Sequence, residues 1–204
     1  MNIGFNGRES IEEALRRLNE RLVYAEFEPL SLVICGGASL NLMGWVIRST
    51  SDVDILGLLS VQGNEQPQLV NGERLGSEFD EMIASVGREL GLAEDWLNFG
   101  PVPLLDFGLP EGLLNRATRF LIGDCLTIYA ISRWDQIHLK FYAALDPESR
   151  IETHLGDLLD LEPSEEEAKA AAAWLTDRPV GPEFRKRLKQ LLERIGHERV
   201  AETV

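Results

Sequence analysis

The chain has 204 residues, 44% of them apolar, and a formal charge of −14, so it can bury a sizeable core as one domain with an appendage or as two small ones. That charge excludes a broad nucleic-acid-coating surface, because such surfaces draw their affinity from Lys and Arg displacing counterions. No apolar run approaches the roughly 18 residues of a membrane span, and the stretch from Met1 to Arg8 lacks the basic-then-apolar order of a signal peptide, so a cytoplasmic protein with no membrane partner is expected.

Ser10 and Glu13 have capping-box spacing, and Ile11, Leu15, Leu18 and Leu22 recur at helical intervals, which predicts a helix over residues 10–26. The short apolar run Ser31-Leu32-Val33-Ile34-Cys35 ends in Gly36-Gly37 and reads as a buried strand feeding a helix that begins near Ala38, with Leu40, Met43 and Val46 or Ile47 facing the core. A second apolar strand is predicted from Asp52 to Leu59, closed by a loop at 62–67. Phe79, Ile83, Val86 and Leu90 predict a helix over 77–90 stopped by Gly91, and Pro101 and Pro103 mark the segment from Trp96 onward as irregular. The runs 116–122 and 125–131 flank Gly123-Asp124 and predict a hairpin.

A helix from Trp134 to Leu145 ends at Asp146-Pro147 and carries Lys140 near its apolar stripe, so Lys140 is expected to point inward. Ser164 and Glu167 form a second capping box opening an alanine-rich helix through Trp174, and Pro182 opens a final helix to about Val200. The order of elements predicts an α/β (α+β) mixed sheet flanked by helices over residues 1–147, with a helical appendage over 148–204. Cys35 and Cys125 are expected as buried thiols within strands, and the three histidines lack metal-site spacing. The four tryptophans read as packing residues, with Trp96 placed where it could line a cleft. The basic run Arg185-Lys186-Arg187-Leu188-Lys189 reads as a solvated helix face, or as a contact to a phosphate-rich acceptor or a partner.

The chemistry concentrates between residues 31 and 59. Side chains alternate along a strand, so Asp52 and Asp54 project to one side. Two carboxylates about 6 Å apart repel by about 3 kcal/mol at an effective dielectric near 20, which favours a shared cation, and hard oxygen ligands suit Mg²⁺ or Mn²⁺. A Gly-Gly turn lets the backbone approach a phosphate, and the helix start supplies amide donors. The full Gly-x-Gly-x-x-Gly order of dinucleotide-binding folds is missing, and no nucleophile-elbow sequence is present.

Gly36-Gly37-Ala38-Ser39-Leu40 followed by Arg48-Ser49-Thr50-Ser51-Asp52-Val53-Asp54 resembles the nucleotidyltransferase superfamily that includes DNA polymerase beta, and within it the AbiEii-like and related bacterial nucleotidyltransferases. Lys140-Phe141-Tyr142-Ala143 ahead of Asp157-Leu158 extends the likeness to about residues 31–160. The resemblance implies transfer of a nucleoside monophosphate from an NTP to a hydroxyl of a small molecule, a protein or an RNA end. It makes Asp52 and Asp54 metal ligands at a catalytic centre, with Asp106 in Leu105-Asp106-Phe107 as the third carboxylate on a neighbouring strand. Gly36, Gly37 and Ser39 would hold phosphates, Arg48 and Thr50 would position them, Lys140 would contact the triphosphate, and Asp157 would be a further polar member. Ala38 occupies a place where such proteins often have Ser or Thr, and His154 one where Asp is common. Proteins of this kind often act as toxins restrained by a small partner protein. The alternative is a nucleotidyltransferase fold without turnover that binds nucleotides or partners.

Overall fold

The computed structural model describes residues 3–60, 67–72, 75–147 and 149–204, and its contacts divide the chain into two units, Met1–Ser132 and Arg133–Val204. The loop expected at 62–67 lies outside the described residues apart from Pro67. Among the described residues, no helix is long and apolar enough to cross a membrane.

The first unit opens with α1 (Arg8–Tyr24), which buries Ile11, Ala14, Leu15, Leu18 and Leu22. The expected box at Ser10 and Glu13 does not form, because the helix begins ahead of it. Gly7 is the N-cap, and the Ser10 hydroxyl donates to Gly7 O and accepts from the Asn6 N–H. Glu13 instead pairs with Arg16 and Arg17. β1 (Leu30–Cys35) runs directly into α2 (Gly36–Met43), which begins earlier than the Ala38 start expected and ends at Gly44 in the left-handed region. Val46 is buried beyond that end, whereas Ile47 is 91% exposed.

β2 (Val53–Ser60), β3 (Gln68–Val70), α3 (Gly76–Leu90), β4 (Leu97–Asn98), α4 (Leu104–Phe107), α5 (Leu113–Arg116), β5 (Thr118–Leu121) and β6 (Leu126–Ala130) complete this unit. The sheet order is β3-β2-β1-β6-β5, with β4 also paired to β2. β1 is antiparallel to β2 and parallel to β6, so the sheet is mixed and the fold is α+β, as expected. β3 and β4 are too short to show as hydrophobic runs in the sequence, and β4 falls within the segment expected to be irregular. The hairpin is present, but residues 122–125 form its loop, so Cys125 precedes β6 and does not lie within a strand. Both cysteines are free thiols.

One face of the sheet carries the core. Leu32, Ile34, Val53, Ile55, Leu58, Leu97, Ile128 and Ala130 meet the buried residues of α1 and α3. Between the pairs Val33↔Gly57 and Ile34↔Ile55 the register shifts, leaving Leu56 as an inserted residue. Trp96 belongs to this core and lines no cleft: it is fully buried, its Nε1–H donates to Ile83 O at 2.9 Å, and its ring meets Phe5 edge-on. Along the α1–α3 seam, Arg21 and Arg17 face Glu89, whose carboxyl is held below its usual range chiefly by the hydrogen bond from Arg21.

The second unit is helical: α6 (Arg133–Leu145), α7 (Ile151–Leu161), α8 (Glu165–Thr176), α9 (Pro182–Arg194) and α10 (Glu198–Ala201). α6 touches α7, α8 and α9, so by its contacts it groups with the helices that follow and the division falls after Ser132, not near Pro147. The Ser164–Glu167 capping box forms in full. The helix expected from Pro182 to about Val200 breaks at Gly196, whose φ of 81° ends α9's path before α10 begins. In the basic run, Leu188 is buried while Lys186 and Lys189 are exposed, which is the amphipathic pattern of a surface helix. His138 donates from Nδ1 to Trp134 O and packs between the Trp134 and Trp174 rings, while His197 Nε2 bonds Pro163 O.

Replacing Trp96 by Ala removes the largest core side chain next to β4 and is expected to cost about 3–5 kcal/mol. Urea denaturation followed by circular dichroism measures it.

Candidate functional site

The turn from β1 to α2 is set by Gly36, whose φ of 70° lies in the region that side chains resist. A Cβ there would overlap the Asp54 carboxylate at Oδ2 and come within 3.3 Å of its Cβ. Asp54 therefore sits against the turn, as the pairing of Cys35 with Asp54 requires. A Cβ on Gly37 would meet Thr50 Oγ1 at 2.7 Å and Arg48 Nη2 at 3.0 Å. Both glycines thus mark close approaches, one to an acid and one to a guanidinium and a hydroxyl.

Asp52 precedes β2, and Val53 between the two acids is buried in the core while both acids are half-buried. That alternation puts Asp54 on the sheet face away from α1 and α3, with Asp52 just ahead of the strand. Asp52 Oδ2 accepts from the Ser51 hydroxyl at 3.0 Å. The segment leading to them is pinned by a two-way backbone pairing of Phe5 with Thr50 and by the Thr50 hydroxyl, which donates to Asp52 O at 3.4 Å. The Arg48 guanidinium also donates to Ser49 O.

Two residues that sequence reasoning did not single out shape this turn. Asn41 is buried, and its Nδ2 donates to Gly37 O and to Arg48 O, both at 3.0 Å, tying α2 to the segment that leads into the acids. A polar residue inside the apolar run Leu40-Asn41-Leu42 was the signal available. Asn98 pairs with Asp54 in the parallel β2–β4 ladder, so the two share a face, and its Oδ1 accepts from the Gly100 N–H. No sequence pattern marks a two-residue strand.

The remaining expected members are placed differently. Ser39 is fully buried, and its hydroxyl has no hydrogen-bond partner among the described residues. Asp106 lies on the single helical turn α4 and is exposed, so it does not stand on a neighbouring strand; Pro101 and Pro103 ahead of it favour a turn over a ladder. Among the described residues no group of three or more His, Cys, Asp or Glu is arranged to hold a metal ion. The donor set that remains, the carboxylates of Asp52 and Asp54, is of the chemistry that suits Mg²⁺ or Mn²⁺ held by one or two carboxylates and completed by substrate phosphates.

Lys140 and Asp157 belong to the second unit. Lys140 points inward as expected, and its ammonium lies 2.6 Å from Asp157 Oδ2, with side-chain exposures of 6% and 0%. His154 Nδ1 lies 3.4 Å from the same ammonium. The inward-facing cation of α6 is therefore matched by carboxylate and imidazole from α7. No family model, no curated protein and no solved structure matches the chain.

Two substitutions probe these contacts. Gly36→Ala should lower stability by at least about 1–2 kcal/mol through the left-handed backbone alone, and should weaken Mn²⁺ binding measured by electron paramagnetic resonance, because the new methyl displaces Asp54. Asp157→Asn leaves a buried ammonium uncompensated and should cost about 3–5 kcal/mol, whereas Lys140→Met with Asp157→Leu together should fall close to the unsubstituted protein in the same denaturation experiment.

Proposed function

We propose that the chain is a metal-dependent nucleotidyltransferase that moves a nucleoside monophosphate from an NTP to an acceptor hydroxyl. One observation carries this reading: the Asp54 carboxylate is seated on Gly36 at the strand–helix turn, with Asp52 two residues ahead of it in the chain and Arg48 and Thr50 over Gly37. A glycine turn beside paired acids and a guanidinium is a layout suited to phosphoryl chemistry, where positioning and charge neutralisation supply most of the catalysis. Asp52 and Asp54 would hold Mg²⁺ or Mn²⁺, which when bound neutralises phosphate charge. Arg48 offers a planar donor fork to phosphate oxygens, and the N–H groups of α2's first turn have no intrahelical partner. In the transfer, the α-phosphorus gains a bond to the acceptor oxygen and loses its bond to the pyrophosphate oxygen, while the acceptor proton leaves to water. Lys140 as a triphosphate contact and restraint by a small partner protein rest on the sequence resemblance alone.

A second reading is a nucleotide-binding module without turnover. It is favoured by the exposed position of Asp106 and by the lack, among the described residues, of a third His, Cys, Asp or Glu grouped with the acid pair. The two readings separate in one experiment with labelled NTPs, Mg²⁺ and a cell extract. The enzyme should label an acceptor and release pyrophosphate, and Asp54→Ala should reduce both by about a hundredfold or more. Labelling that survives Asp54→Ala removes the assignment of Asp54. Calorimetric binding of the Mg-nucleotide with no pyrophosphate release from any acceptor fraction favours the module.

A further inference from the structure

The sheet face that bears Asp54 also walls a cavity of about 580 Å³ within the first unit. Leu59 and Leu69 from β2 and β3, Tyr129 from β6, Leu113 and Leu114 from α5, and Glu111 line it. The register establishes the shared face. Asp54 pairs with Cys35, and Val33, two residues back along β1, pairs with both Gly57 and Tyr129, while Leu59 pairs with Leu69. In a regular strand Asp54 and Leu59 would point to opposite faces, since they are five positions apart, an odd offset. The inserted Leu56 restores them to one side, so the bulge joins the acid and the cavity wall. From strand spacing, the Tyr129 and Asp54 Cα atoms are roughly 12 Å apart, two strands across and two residues along.

We infer that this cavity binds the acceptor, and that the acceptor is a small hydroxyl-bearing molecule with an apolar body and no negative charge. The inference rests on the nucleotidyl-transfer reading and narrows its acceptor. The volume is that of a small-molecule site, which excludes a folded RNA or protein as the occupant. Among the described lining residues Glu111 is the one charged side chain, so a polyanion seated there would meet its repulsion. Arg116, whose guanidinium lies over Gly112, and Arg119, the register partner of Tyr129, do not line the space. The Tyr129 hydroxyl and the Asn115 amide are the neutral polar groups available to orient a ligand against the leucine floor.

The cavity is tested apart from turnover with Nile red, a neutral apolar dye, titrated into the full chain. Saturable binding is expected, unchanged in Asp54→Asn and weakened at least about tenfold in Leu114→Trp, with Leu69→Phe as a milder filling variant whose circular dichroism is compared with the unsubstituted chain. The anionic dye ANS should bind about tenfold or more weakly than Nile red, and Glu111→Lys should narrow that gap. No saturable Nile red binding, or equal binding in both filling variants, overturns the cavity as a ligand site. In the labelled-NTP experiment the label should enter the low-mass fraction and fall with Leu114→Trp. Label in RNA or protein that Leu114→Trp leaves unchanged overturns the acceptor assignment. Saturable dye binding with no label in any fraction counts against the nucleotidyl-transfer reading and the acceptor role together, while upholding the cavity as a ligand site.

Discussion

The antiparallel pairing of β1 with β2 is the constraint on which the rest of the first unit depends. It brings Cys35 opposite Asp54, and because β1 runs straight into α2, it brings Asp54 onto Gly36 at the same stroke. A side chain at Gly36 would meet the acid, and the backbone there has a positive φ, so the glycine answers two requirements at once. Asn41 then locks the arrangement by bonding the carbonyls of Gly37 and Arg48, which are remote along the chain and adjacent in space.

The inserted Leu56 gives the same strand pair two roles. On one side of it, Val53 and Ile55 face the helices α1 and α3 and leave Asp54 on the far face; on the other side, Leu58 faces the helices and Leu59 the far face. A bulge shifts the alternation by one residue without breaking the strand, and here it assigns an acid and an apolar wall to one surface. β4 adds Asn98 to that surface through its pairing with Asp54. The far face is therefore polar at the turn, with Asp54 and Asn98, and apolar further along at Leu59.

The second unit is organised around α6, with a buried lysine meeting a fully buried aspartate from α7. Such a pair is a poor source of net stability, because desolvating both ions offsets their attraction, yet either partner alone is costly to bury. It marks a point at which α6 meets α7, together with His154 beside the same ammonium. The aromatic cluster of Trp134, His138 and Trp174 does the same between α6 and α8 with rings in place of charges.

The sequence by itself determined the element types with strong periodicity or punctuation: α1, α3, α6, the capping box of α8 and the strand–glycine–helix turn, each of which depends on residues close in the chain. It determined less where ends are set by packing. α1 begins ahead of its apparent cap, α9 stops at a glycine inside a helical pattern, and β3 and β4 exist only because β2 offers an edge to pair with. The exposed place of Asp106 was likewise illegible, since Leu105-Asp106-Phe107 fits a strand as well as a helical turn. Only the tertiary structure decided that Arg48 and Thr50 cover Gly37, that Asn41 ties the turn together, and that the bulge at Leu56 puts Leu59 on the face of Asp54. The physical reason is that register and close approach are properties of two segments at once, and the run Ile55-Leu56-Gly57-Leu58-Leu59 is apolar enough to satisfy either face until a partner strand chooses.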